Sequence, residues 1–200
     1  MRSPSTGTVE DSSSALFPPG RQGPTPKSTK PVGGLRMSRV PGHVPVLAEQ
    51  VVALFASVPP GVVVDATVGA GGHAAATLEA CPHLAVFGID RDPEALAVAA
   101  GRLERFGERA VLLHARFADL AAVVGEAQAA GRGRWPSTHE DEAGISGVLF
   151  DLGVSSMQLD LPDRGFSYRQ DARLDMRMDR TSGEDAAAVL NGASQSDLQG

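Results

Sequence analysis

The stretch VVVDATVGAGGHAAATLEA, Val62 to Ala80, decides the fold. Three β-branched residues run into Asp65, as a buried strand does. Gly69, Gly71 and Gly72 follow, and then an alanine-rich segment with helical character. A strand, a glycine turn and a helix in that order form the first unit of a βαβ arrangement. Glycines at such a turn let a ligand approach the backbone closely.

Working outward, the alternation continues. The spacing of Leu47, Val51, Leu54, Phe55 and Val58 predicts an amphipathic helix over 45–57, ended by Pro59, Pro60 and Gly61. Val62–Ala66 reads as strand one and 73–80 as a helix. Leu84–Ile89 reads as strand two. Asp92-Pro93 opens the next helix, with Asp as N-cap and Pro at the first helical position. Its apolar face holds Leu96, Ala99, Leu103 and Phe106. Ala110–His114 is strand three, a helix covers 118–130, and Gly147–Leu152 is strand four. Between them, 131–144 is polar and glycine-rich and reads as a surface loop in which Trp135 packs locally. The order predicts a parallel α/β sheet with helices on both faces.

Residues 1–40 are rich in Pro, Ser, Thr and Gly, and cannot bury enough apolar surface to order themselves. They read as a disordered tail with six Lys or Arg against Glu10 and Asp11, a balance of +4 within a chain of net charge −6. The remaining −10 argues against a nucleic-acid partner on global charge alone. The single Cys rules out an internal disulfide framework or a multi-cysteine zinc site, and no metal is expected. No apolar run reaches the ~18 residues of a membrane span, so a membrane is not expected as a partner and the cytoplasm is the expected compartment.

In doubly wound sheets ligands lie beyond the carboxyl ends of the strands. Asp65, Asp90 and Asp151 mark three of those ends. A single Asp would read as a strand-end cap, but three on one edge around a glycine loop suggest a site. Asp90 is placed to accept from ribose hydroxyls. Both S-adenosylmethionine (SAM) and a nicotinamide dinucleotide fit that much, and Gly69–Ala74 satisfies the looser G-x-G-x-x-A pattern. Asp65 beside the loop suits the sulfonium and amino group of SAM and would repel a pyrophosphate. Asp151 is expected to face the reacting end of the cofactor.

The segments HVPVL (43–47), VDATVGAGGH (64–73), GIDRDP (88–93), FDLGVSSMQLD (150–160), RGFSY (164–168) and LDMRMD (174–179) carry a resemblance. Over residues 43–200 the chain resembles the bacterial small-subunit ribosomal RNA (cytosine-N4)-methyltransferases, the RsmH or MraW family. The run from Asp151 to Asp179 is specific, whereas the glycine loop is generic to methyltransferases. The resemblance implies a Rossmann-like SAM-dependent methyltransferase fold. It implies that Gly71, Gly72 and His73 line the SAM site, that Asp90 binds the ribose, that Phe117 packs near the adenine, and that Asp151 and Gln158 contact the cofactor from the strand-four side. It leaves the catalytic group unassigned.

The implied partner is 16S ribosomal RNA in the small subunit, with a homodimer left open. The implied division is a tail at 1–40, a SAM-binding core at 41–155 and the start of a helical substrate-recognition insert at 156–200. The chain departs from the family at Ala70, where many relatives carry Arg, and at Ala172-Arg173, where Gly-Pro is usual. The family pattern also continues past Gly200, so the sheet is expected to lack its last strands and to leave strand four as an edge.

Phe166 and Tyr168, with Arg164, Arg169, Arg173, Arg177 and Arg180, offer stacking and phosphate-binding groups. Asp171, Asp175 and Asp179 interleave with them and equally suit a solvated face. Three functions stay open from the residues: a SAM-dependent ribosomal RNA methyltransferase, an NAD-linked oxidoreductase, and an inactive SAM-binding fragment.

Overall fold

The computed structural model describes residues 45–135 and 144–199. The tail at 1–40, His43, His139 and most of the 131–144 loop lie outside the described residues. Four strands, β1 (Gly61–Asp65), β2 (Leu84–Asp90), β3 (Ala110–His114) and β4 (Ile145–Leu149), form one parallel sheet in the order β3-β2-β1-β4. The predicted parallel α/β architecture is the one observed. The chain enters at β1, winds outward to β3, then returns to place β4 on the other side of β1. The switch point is therefore between β1 and β4, at the end of β1 that carries the glycine loop.

Five helices concern the site. They are α1 (Ala48–Ala56), α2 (Gly72–Ala80), α3 (Pro93–Leu103), α4 (Leu120–Ala129) and α5 (Ser156–Asp160); α6 (Ala186–Gly192) and α7 (Gln195–Gln199) follow. β1 is buried at every position because helices cover both faces, which is why its sequence is a continuous apolar run rather than an alternation. Val63 points to the α1–α3 side, with Phe55, Leu78, Ala99 and Leu103. Val62 and Val64 point to the α4 side, with Phe87, Val111, Val124 and Ala127. Trp135 packs on that second cluster, its ring 4.7 Å from Phe87, and its indole N–H donates to the Arg132 carbonyl at 3.1 Å.

Most boundaries differ from the sequence reading by one or two residues, and three differences bear on the site. α1 starts at Ala48 rather than 45, because Leu47 is in the left-handed region (φ 55°) and the preceding residues lie against the glycine loop. Phe106 belongs to a 3-10 turn over 104–109, although it still packs on the core that α3 faces. Strand four was expected over 147–152 and occupies 145–149. Beyond Leu149 the backbone N–H of Asp151 donates to the Thr67 hydroxyl at 2.7 Å instead of to a neighbouring strand. Phe150 and Leu152, half and 70% exposed, therefore leave the sheet. Among the described residues β4 pairs with β1 alone, and no helix is long and apolar enough to cross a membrane.

Candidate cofactor site at the C-terminal edge of the sheet

The loop from Thr67 to Gly71 turns back on itself, with Gly71 N donating to the Val68 carbonyl at 2.8 Å. Gly69 (φ 52°) and Gly71 (φ 76°) both sit in the left-handed region that a side chain disfavours. Gly71 is the N-cap of α2 and provides no side chain to cap it. Among the described residues the first-turn N–H groups of α2 thus have no side-chain cap, at the end of a nine-residue helix.

The segment before α1 closes one side of this loop. A Cβ at Gly72 would lie 2.6 Å from Pro45 Cγ, so the Pro45 ring packs on the Gly72 backbone where a side chain would force it to shift. The His73 ring is bonded through Nε2 to the Val46 carbonyl at 2.8 Å. Its Nδ1 lies 3.8 Å from an Asp151 carboxylate oxygen.

The three strand-end carboxylates differ sharply. Asp65 is 2% exposed and accepts only a long bond from Thr67 N, at 3.3 Å. Burial pushes its carboxyl up to about 7; the Thr67 amide and His73 act against that shift, while Asp90 and Asp151 add to it. The charged Asp65 expected beside the loop is therefore, in the ligand-free chain, a group poised between its neutral and ionised forms. Asp90 is half-buried, and each of its oxygens holds one backbone N–H: Oδ2 accepts from Gly69 N at 2.8 Å and Oδ1 from Asp92 N at 2.9 Å. Burial raises its carboxyl too, against those hydrogen bonds. Asp151, more than half exposed, stands at the rim.

Gly71, Gly72, His73, Asp90 and Asp151 are thus gathered around the end of β1. Phe117 follows β3 and meets Phe150, which follows β4, edge-on at 6.0 Å between ring centres. β3 and β4 are the two outer strands, so this aromatic pair spans the rim; both rings are half exposed. Gln158 lies apart from this gathering. It is buried, its amide oxygen accepts from Ser155 N at 3.0 Å, and its amide nitrogen donates to Asp92 Oδ2 at 3.0 Å. The bond to Ser155 is half of a capping box that starts α5.

Sequence reasoning missed Thr67, Asp92 as more than a cap, and Phe150. Thr67 ties the end of β1 to the Asp151 backbone. Asp92 accepts at Oδ1 from Glu94 N and Ala95 N and at Oδ2 from Gln158 and Arg164. The arginines at 164–180 are largely committed inside the protein. Arg164 pairs with Asp92 and Glu94, Arg173 with Asp185, and Arg177 with Asp175, while Arg180 approaches Glu94 and Asp175. Arg169 alone of the five has no ion pair among the described residues. Nearby, Tyr168 is fully exposed beside an open groove of about 570 Å³ that Phe166 and Arg169 also line.

Residues 41–200 match the sequence profile of the MraW methylase family. Among curated relatives, ribosomal RNA small subunit methyltransferase H of Corynebacterium jeikeium (strain K411) is 48% identical over 170 residues, covering 81% of this chain and 48% of the relative. The protein of that name from Beutenbergia cavernae is 48% identical over 160 residues, covering 78% of this chain and 44% of the relative. That of Corynebacterium urealyticum is 50% identical over 160 residues, covering 76% and 44%. The chain spans under half the length of these relatives. The matched span takes in the glycine loop, the Asp90 shelf and the segment that packs on α3, and on that match the chain belongs to the MraW methylase family.

Proposed function

We propose that this chain supplies the SAM-binding part of a methyltransferase that modifies the N4 amine of a cytidine in 16S ribosomal RNA. The observation that carries the reading is Asp90, which braces the glycine loop through Gly69 N and leaves lone pairs at the rim. The groups around it suit SAM. Its carboxylate matches the uncapped N–H groups of α2, its sulfonium and ammonium match the acidic rim, and its ribose hydroxyls match Asp90. A dinucleotide pyrophosphate would instead face Asp90 and Asp151, so the oxidoreductase reading is the weaker one. Phe117 would hold the adenine, and Gly71, Gly72, His73 and Asp151 would line the rest; Gln158 would act from behind Asp92.

When bound, SAM supplies a methyl group already activated by its sulfonium, and the chain's part is alignment. Asp151 at the rim would accept a hydrogen bond from the attacking amine and keep its lone pair available. The target base must leave its stack to reach that position. Residues 156–200 would begin the part that recognises RNA, with Tyr168 and Arg169 as its available contacts. A ribosomal substrate would place the protein in the cytoplasm. The names of the curated relatives support the RNA substrate.

Calorimetric titration of SAM and, in parallel, of NAD into the chain tests the reading. Saturable SAM binding is expected, with no NAD binding. Asp90→Ala removes charge-assisted bonds of about 1.5–3 kcal/mol each, so SAM should bind at least about tenfold more weakly. NAD binding lost in Asp90→Ala would favour the oxidoreductase.

A further inference from the structure

Arg164 is 1% exposed, an uncommon place for a guanidinium. Its Nη2 donates to Asp92 Oδ2 at 2.8 Å and to the carbonyls of Arg177 and Met178 at 3.1 and 2.9 Å. Its Nη1 donates to Glu94 Oε2 at 3.1 Å. Its Nε is buried with no partner among the described residues. A buried ion pair is a weak device for stability, since well-packed apolar residues in place of both partners are often as good or better, although removing one partner alone is costly. What Arg164 does secure is position, because its planar fork ties two separate pieces of chain, the start of α3 and residues 177–178, to its own.

Those pieces form one connected path. Gly69 N donates to Asp90, Asp90 accepts from Asp92 N, and the Asp92 carboxylate accepts from both Gln158 and Arg164. From Arg164 the path runs to the backbone at 176–178, where Met176 N donates to the Arg164 carbonyl at 3.0 Å. Met176 is held in the left-handed region (φ 58°), a conformation that persists in a non-glycine residue only when its surroundings impose it. Farther along, Asp179 lies 3.7 Å from His114 at the end of β3. Residues 162–180 thus lie as a strap from α5 across the start of α3 to the end of β3.

We propose that Arg164 is a positioning residue that keys this strap to the Asp90 shelf through Asp92, so that strap docking and the shape of the cofactor edge are set together. The proposal rests on the SAM reading for its functional consequence but not for the coupling itself. The strap, which carries Arg164, cannot lift from the start of α3 without breaking the Arg164–Asp92 pair, and Asp92 shares its backbone N–H with the carboxylate that braces the glycine loop.

Amide exchange by NMR on the intact chain, without ligand, reads the coupling directly. Arg164→Met leaves the buried Asp92 carboxylate without its cation and lowers stability, so its fold is first checked by far-UV circular dichroism. Exchange at the Met176 amide should quicken, and exchange at the Gly69 amide should quicken with it. SAM affinity should fall about five- to tenfold, although residue 164 does not touch the cofactor edge, and Arg164→Lys should recover part of the loss. Faster exchange at Met176 with Gly69 exchange unchanged would overturn the proposal, since it would make Arg164 a local fastener only. Should Arg164→Met not fold, the same two amides in Arg164→Lys decide between these outcomes. If the unaltered chain binds no SAM, the cofactor reading falls, and the Gly69 amide alone still decides the keying.

Discussion

Asp65, Asp90 and Asp151 are the same residue type at three strand ends, yet their surroundings give them different chemistry. Asp65 carries a testable consequence. Its folded pKa, about 7, lies above the ordinary value of 3.8. The folded state therefore keeps a proton that the unfolded chain releases. The associated stability is present in full below about pH 4 and is lost as the pH rises through 7, a change on the order of 4 kcal/mol. Urea unfolding from pH 4.5 to 8 should show stability falling toward neutrality. Asp65→Asn, which keeps the acceptor for Thr67 N, should flatten that slope; an unchanged slope would place the titration elsewhere. None of this was legible from the residues, because protonation follows burial, and burial depends on β2, β4 and the helices closing around β1.

At the scale of elements, helix caps were well read where the signal is local. Asp92-Pro93 opens α3 as expected, because an N-cap side chain needs only the N–H groups two and three residues on. The sequence does not show that the same carboxylate also takes a guanidinium from 72 residues away. Asp185 caps α6 by the same chemistry, accepting from Ala188 N, but its arginine partner Arg173 is exposed. The contrast predicts unequal costs. Asp185→Ala should cost about 1 kcal/mol, the value of a cap. Asp92→Ala also strands the buried Arg164 with Glu94 alone, and should cost about 3–5 kcal/mol. Denaturant midpoints for the two variants check this, and equal losses would mean that the Arg164 pair contributes nothing beyond the cap.

At the scale of the whole molecule, the distribution of charge over the described residues bears on the proposed RNA reading. The five arginines between 164 and 180 suit either phosphate binding or a solvated face of alternating charge, and among the described residues four of them pair with or approach carboxylates of the protein itself. Arg177 shows the pattern. It grips buried Asp175 through both Nε and Nη2 at 2.9 Å, which holds the Asp175 carboxyl well below its ordinary range. On the proposed RNA reading, Arg169→Ala should weaken binding and reduce the slope of log affinity against log salt by about one. Arg177→Ala should instead lower the melting temperature. Filter binding across a salt series, beside thermal unfolding, separates the two effects; the reverse assignment would return Arg177 to the RNA surface.

Short-range chemistry was open to reading from the chain alone. The β-branched run, the glycines at a turn, the Asp-Pro cap and the spacing of apolar residues each act over a few positions. Together they were enough for the parallel sheet and for setting Asp90 at a strand end beside the glycine loop. The tertiary structure decided what depends on distant partners. It ended β4 at Leu149, because Asp151 N finds the Thr67 hydroxyl. It turned Gln158 toward Asp92, held the Asp65 carboxyl near neutrality, and buried Arg164 as a tie between segments. Each of these turns on solvent exclusion and on groups tens of residues apart, and neither is written in local spacing.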